Sequence, residues 1–225
     1  MGWGGWVRGV EIEPSLYAAD LARLGEEIGR QLDAGARVFH FDVGDGHFVE
    51  PITVGPIVLE AIAPLVHDRG GRLDCHLMVE NPARHIPQIA RAGGDSVTFH
   101  VEVGDTPALV ALAREQGLGA GLAFNPGTAA AEAARAADGV DLVLCMSIWP
   151  GYSGQAFMPE ALDRVREVRG LLPGRVRVQV DGGVGPDNVA ALREAGADLL
   201  VAGSAIFAAD DPGVAYRRLA AAVAP

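Results

Sequence analysis

Short β-like runs alternate with amphipathic helical patterns from one end of this chain to the other, and that alternation restricts the fold more than any other feature. The strand-like runs cover residues 10–14, 38–43, 73–77, 96–101, 120–124, 142–147, 176–181 and 199–202. The helical patterns cover residues 18–34, 54–65, 82–92, 107–116, 128–137, 159–171, 186–195 and 212–223, often opened by Pro or Thr near the first turn. Eight βα units in 225 residues predict an α/β protein of the (β/α)8 TIM-barrel type, a closed parallel sheet with its helices outside. An open doubly wound sheet would usually have fewer strands and a Gly-x-Gly-x-x-Gly turn after one of them, and no strand here is followed by that turn. No Pro/Ser-rich or charge-block linker interrupts the pattern. One domain over residues 1–225 is therefore expected, with residues 1–9 as a loose N-terminal extension.

Composition removes several functions. Polar residues and turn signals break every apolar run well short of about 18 residues, the length of a membrane span, and residues 1–9 lack the apolar stretch of a secretory signal. A soluble, cytoplasmic protein is expected. A net charge of −11 argues against a nucleic-acid or membrane-surface partner, because both demand a basic footprint. An anionic small molecule stays open, since backbone N–H groups can hold phosphate without a basic side chain. All 18 basic residues are Arg. Without Lys, a Schiff-base aldolase, a lysine-anchored pyridoxal-phosphate enzyme and a P-loop nucleotidase are excluded. Cys75 and Cys145 sit in strand-like runs and read as buried thiols rather than a disulfide.

In an eight-unit barrel the chemistry sits where the strands end. The opposite face is marked by Ala-Gly joints at 34–35, 92–93 and 195–196, which suit left-handed helix C-caps. Side chains alternate along a strand, so His40 and Asp42 point the same way, and so do Asp74 and His76. If that way is inward, His40, Asp42 and His76 meet near the mouth, joined by Asp181 from the seventh strand. Taken singly, a strand-end His or an Asp before Gly-Gly is more often structural. Four such residues converging from three strands favour a site, because unpaired buried charge is costly. Two imidazoles with two carboxylates suit a divalent transition metal such as Zn, Mn, Fe or Co better than Mg or Ca. Asp45 and His47, in the following loop, carry a weaker case.

Glycine-rich strand ends complete the reading. Asp181-Gly182-Gly183 and Ala202-Gly203-Ser204 close the seventh and eighth strands, where barrels of this type often bind phosphate through N–H groups and a helix dipole. The loop Gly151-Tyr152-Ser153-Gly154 is a third flexible stretch, by itself no more than an ordinary loop.

The segments "PSLYAADLARLGEE", "HFDVGDGHFVEPITVGP", "LDCHLMVENPARHI", "FNPGT", "MSIWPGYSGQAF", "VDGGVGPDN" and "AGADLLVAGSAIF" resemble, in order and spacing, the ribulose-phosphate 3-epimerase family over residues 13–207. The resemblance implies a ribulose-phosphate-binding barrel that interconverts ribulose 5-phosphate and xylulose 5-phosphate by inverting C3, an isomerase of the pentose phosphate pathway. It implies one divalent transition metal on His40, Asp42, His76 and Asp181, and proton transfer by Asp42 and Asp181 through a metal-stabilised enediolate. It places substrate contacts at Ser15, Met78 and Met146, and phosphate contacts at Gly151, Tyr152, Ser153, Gly154, Gly182, Gly183, Gly203 and Ser204. A small ketose phosphate is the expected partner, in a homo-oligomer.

Several positions depart from the family pattern. Gly44 stands where "DVMDG" carries a third active-site Met, Pro51 replaces the Asn of "VPNIT", Trp149 the Asn of "NPGFGGQ", and Gln179 the Glu of "EVDGG". Ala18 stands where a Ser is frequent. Trp149 and Gly44 either compensate in volume or reshape the pocket for another ketose phosphate such as allulose 6-phosphate. A non-catalytic paralogue that binds a sugar phosphate is the remaining alternative.

Overall fold

A computed structural model describes residues 9–224, so the expected N-terminal extension falls, but for Gly9, outside the described residues. Eight parallel strands form one sheet: β1 (Glu11–Pro14), β2 (Val38–Gly44), β3 (Arg72–Met78), β4 (Ser96–His100), β5 (Gly119–Phe124), β6 (Leu142–Met146), β7 (Arg177–Asp181) and β8 (Leu199–Ala202). Their order is 1-8-7-6-5-4-3-2, and a parallel bridge between Ser15 and His40 spans the seam from β1 to β2. The sheet thus curls into the nearly closed barrel that the alternation predicts.

The helices α1 (Leu24–Ala34), α2 (Pro56–His67), α3 (Pro82–Arg91), α4 (Thr106–Glu115), α5 (Ala130–Ala136), α6 (Ala161–Leu171) and α7 (Val189–Glu194) follow the first seven strands. A four-residue α8 (Ser204–Phe207) and α9 (Pro212–Ala222) follow β8. Helix starts are written in the sequence: the side chains of Asn81, Asp105 and Asp211 accept from the N–H of Arg84, Ala108 and Val214, satisfying donors the first turn leaves free. The first helix begins later than its apolar spacing predicts. Leu16–Ala18 and Leu21–Arg23 form two 3-10 turns instead, the second started by Asp20, which takes the Ala22 N–H at 3.0 Å. All three Ala-Gly joints turn left-handed, with φ of 106° at Gly35, 94° at Gly93 and 104° at Gly196.

The face at the strands' N-terminal ends is laced by one repeated device. Asp95, Asp141 and Asp198 each precede an even-numbered strand and accept the N–H of Leu73, Ala120 and Val178 in the strand before it, at 2.9, 3.1 and 2.8 Å. Each also meets an arginine: Arg72, Arg114 and Arg177.

Alternation sorts each strand's residues. Phe39 and Phe41 of β2, Leu73, Cys75 and Leu77 of β3, and Val143 and Cys145 of β6 face outward into the main core under the helices. Both cysteines are free and buried, as expected. A second cluster inside the barrel, Leu142, Leu144 and Met146 with Val38, Ala123 and Leu199, fills one side of its interior with hydrocarbon. The other side is polar: Glu13, His40, Asp74, His76, Ser96, Thr98 and Gln179 are all fully buried there. Burying that many polar groups is tolerable only where they bond one another. Among the described residues no helix is long and apolar enough to cross a membrane.

Candidate active site

Four side chains converge at the C-terminal end of the polar half. From β2, His40 and Asp42 enter side by side, β3 supplies His76 and β7 supplies Asp181, so that one ligand atom of each lies within 4.8 Å of all the others. His40 Nε2, His76 Nδ1 and Asp42 Oδ1 form a near-equilateral triangle with sides of 3.3, 3.4 and 3.4 Å. Asp181 Oδ2 caps it at 3.9 Å from both imidazoles. Donors on a tetrahedron about 2.1 Å from a transition ion are separated by about 3.4 Å, so the four atoms fit that ion in spacing as well as in chemistry.

Each donor is held from behind. Ser15 Oγ donates to Asp42 Oδ2 at 2.7 Å, leaving Oδ1 turned to the imidazoles. His40 presents Nδ1 to Asp74 Oδ2 at 3.1 Å, and Asp74 in turn accepts from Ser96 at 2.7 Å and Gln179 at 2.8 Å. Glu13, His40 and Asp74 make a second cluster of donors. The Gln179 amide sits within it, bonding both Glu13 and Asp74, so this cluster reads as support for His40. Gln179, a departure from the family pattern, thereby backs a candidate ligand, and the buried carboxyl beside it comes from β1.

The electrostatics divide the two outer carboxyls. Burial pushes Asp42 up, but the charge of His40 and hydrogen bonds to His40 and His76 outweigh it and hold Asp42 well below the usual carboxylate range. For Asp181, burial and the neighbouring Asp42 charge act together and raise the pKa to about 7. The surroundings thus push the two carboxyls apart in acidity, Asp42 downward and Asp181 upward. Glu13 is raised well above its ordinary value by burial and then by Asp74. Burial pushes His40 down, yet Asp42, Asp74 and Asp181 carry it well above the ordinary imidazole value, while burial lowers His76.

Above this floor lies an open pocket. Every expected substrate contact lines it: Ser15, Met78, Met146, the 151–154 loop, Gly182, Gly183, Gly203 and Ser204. Asp42 and Asp181 reach into it, whereas His40 and His76 lie fully buried beneath. Glycine is required at the end of β7. Gly182 and Gly183 have φ of 117° and 62°, and a Cβ would lie 2.4 Å from the Ile148 side chain and 2.7 Å from the Phe157 nitrogen. Asp45 is structural: it accepts from the N–H of His47, Phe48 and Glu80 and ties two loops together, with His47 exposed beside it.

The departures resolve into separate places. A Cβ on Gly44 would lie 2.9 Å from Pro51 O and from Val49 Cγ2 and 3.1 Å from Thr53 Cγ2, so the loop at 49–53 occupies the space of the missing Met. Trp149 does not fill it; its ring lies over Gly127 and is 55% exposed. Ala18 packs against Gly203, beside the pocket. Tyr17 also lines the pocket, and His100 and Glu102 lie behind His76, all three unsingled by the sequence reading. Their only sequence signal is a His two residues before a Glu where β4 ends.

The profile of the ribulose-phosphate 3 epimerase family matches residues 11–207. Ribulose-phosphate 3-epimerase 2 of Cupriavidus necator is 43% identical over 218 residues, covering 93% of this chain and 89% of its own. The Serratia marcescens ribulose-phosphate 3-epimerase is 44% identical over 204 residues, 89% of this chain and 96% of its own. Among solved structures, KGPDC from Streptococcus mutans superposes with a TM-score of 0.72 over 96% of this chain and 98% of its own, at 16% identity, a likeness of fold.

Proposed function

The chain belongs to the ribulose-phosphate 3-epimerase family, isomerases acting on carbohydrates, and from that premise we propose that it inverts C3 of a ketose phosphate, ribulose 5-phosphate to xylulose 5-phosphate. One observation carries the reading: two aspartates on β2 and β7, whose acidities their surroundings push in opposite directions, flank a pair of imidazoles under an open pocket.

A proton beside a ketone is too weakly acidic to leave unaided, and inversion requires its removal from one face and replacement on the other. Asp42, kept ionised by its surroundings, is suited to take the C3 proton, and Asp181, whose pKa lies at about 7, is suited to deliver one from across the mouth. In the reverse direction their roles exchange. Ser15 holds the Asp42 carboxylate in one orientation at 2.7 Å, so the base cannot rotate away from the substrate. Met78 and Met146 border the reacting carbons with adaptable, donor-free surface that offers no competing proton. Gly182, Gly183, Gly203 and Ser204 let backbone N–H groups approach a phosphate closely.

His40, Asp42, His76 and Asp181 are the residues that would hold a divalent transition metal, which when bound supplies Lewis-acid stabilisation of the negative charge that develops on the substrate oxygens.

The test is to incubate purified protein with a divalent metal and ribulose 5-phosphate in deuterium oxide. C3 inversion with deuterium incorporation at C3 is expected by NMR. Binding of ketose phosphates without turnover of any of them would refute catalysis in favour of a sugar-phosphate-binding paralogue.

A further inference from the structure

One buried polar chain has no part in the mechanism above. His76 turns Nδ1 toward Asp42 Oδ1 at 3.4 Å, and on its far side its Nε2 meets His100 Nε2 at 2.8 Å. The two rings are nearly coplanar, 20° apart with centroids separated by 5.0 Å, and Phe48 covers His100 at 4.7 Å. His100 Nδ1 lies 3.2 Å from Glu102 Oε2. The other oxygen, Glu102 Oε1, accepts from the Asn125 N–H at 2.9 Å and from the Thr128 hydroxyl.

Proton positions follow along this chain. Both Glu102 oxygens act as acceptors, so the hydrogen between Glu102 and His100 belongs to His100 Nδ1. A neutral imidazole protonated at Nδ1 has its lone pair at Nε2. The hydrogen shared by the two rings must then come from His76 Nε2, which leaves the His76 lone pair on Nδ1. We infer that His100 and Glu102 are positioning residues: together they lock His76 in its Nε2–H tautomer and aim the Nδ1 lone pair into the four-residue centre. The two imidazoles present opposite nitrogens to that centre, His40 through Nε2 and His76 through Nδ1. Each is backed by a carboxylate on its other nitrogen, Asp74 directly for His40 and Glu102 through His100 for His76. The service of this lock to metal binding rests on the centre proposed above. The tautomer itself does not.

Two measurements separate them. In metal-free protein labelled with nitrogen-15 at histidine, ring shifts should show His76 protonated on Nε2 and His100 on Nδ1. His100→Leu, which removes the acceptor, should give His76 a mixture of tautomers, and His100→Gln, whose amide oxygen can accept from Nε2–H, should restore the single form. In chelator competition with Zn, His100→Leu and Glu102→Gln should each weaken binding about 10–100-fold, with His100→Gln recovering most of the loss. Glu102 lies at the partly exposed end of the chain, so its variant tests the lock even if His100→Leu fails to fold. His76 protonated on Nδ1 in the parent protein, or variants that bind Zn as tightly as the parent, would overturn the inference. A parent protein with the expected tautomer that binds no divalent metal would overturn the metal centre and leave the lock standing.

Discussion

Asp181→Asn should stabilise the metal-stripped protein at alkaline pH while abolishing its turnover. An unfolded Asp titrates near 3.8, and Asp181 in the folded protein near 7, because it is buried beside the Asp42 charge. Between those values the folded state holds a proton that the unfolded chain has released, so this group's contribution to stability falls as pH rises through about 7. A gap of about 3 units at about 1.4 kcal/mol each gives an upper limit of about 4 kcal/mol. With 18% of the side chain open to solvent at the mouth, screening reduces that to about 2–3 kcal/mol. Asn carries no charge in either state and removes the slope. Urea unfolding of both proteins, stripped of metal, at half-unit steps from pH 5 to 8 should therefore show the variant gaining about 1–2 kcal/mol on the parent across the range, the rest having accrued below pH 5, a change in midpoint of roughly half a molar. Saturating divalent metal should reverse the order at pH 8, since the cation needs the carboxylate that Asn lacks. A stability difference constant to within about 0.5 kcal/mol from pH 5 to 8 would refute the assignment of Asp181 as the raised carboxyl.

Asp42→Asn keeps shape but removes the base, and should lower kcat by about 100- to 10,000-fold while calorimetry still detects binding of a ketose phosphate to the metal-loaded protein. Gly44→Met, which restores the family residue, should cost about 1–3 kcal/mol in urea unfolding, because its Cβ would meet Pro51 O and Val49 Cγ2 at 2.9 Å; in a chain of this size that is a fall in Tm of several degrees. Asp198→Ala removes the acceptor shared by the Val178 N–H and Arg177 and should lower stability by about 1–3 kcal/mol at full specific activity, the site being at the opposite face.

The barrel was legible because its signals are local. Each strand and helix carries its own periodicity, and the Ala-Gly joints and Pro-led first turns mark boundaries to within a few residues. The centre was legible because strand alternation fixes which residues share a face: once the strands close into a barrel, His40, Asp42, His76 and Asp181 have one place to meet. What escaped depended on a second element that sequence spacing does not supply. His100 and Glu102 gain meaning only from the 2.8 Å contact with His76, and a lone strand-end His is more often structural. Residues 18–23 looked helical by apolar spacing, and a single Asp20 side chain, competing for the Ala22 N–H, redirected the chain there. The volume exchange between Gly44 and Trp149 failed for the same reason, since the 49–53 loop reaches Gly44 through a return of chain that composition does not encode.

Charge balance links the absence of Lys to the centre. The pocket is lined by Asp42 and Asp181, and among the described residues no arginine borders it. A phosphorylated ketose adds about two further negative charges, and the enediolate adds more as it forms. Glycine N–H groups and the start of a four-residue helix offer partial positive charge that would face the phosphate end on the proposed reading. They lie on the loops after β7 and β8, away from the two imidazoles. Protonating Asp181 removes one of the opposing charges, which is what its raised pKa achieves, but the reaction in its reverse sense needs that same group as a base. On the proposed reading, a cation held by the aspartates and the imidazoles would let both carboxyls ionise in turn with less repulsion of the developing charge. The four-donor geometry and the lack of arginine in the pocket lining among the described residues support the proposed metal centre from independent directions.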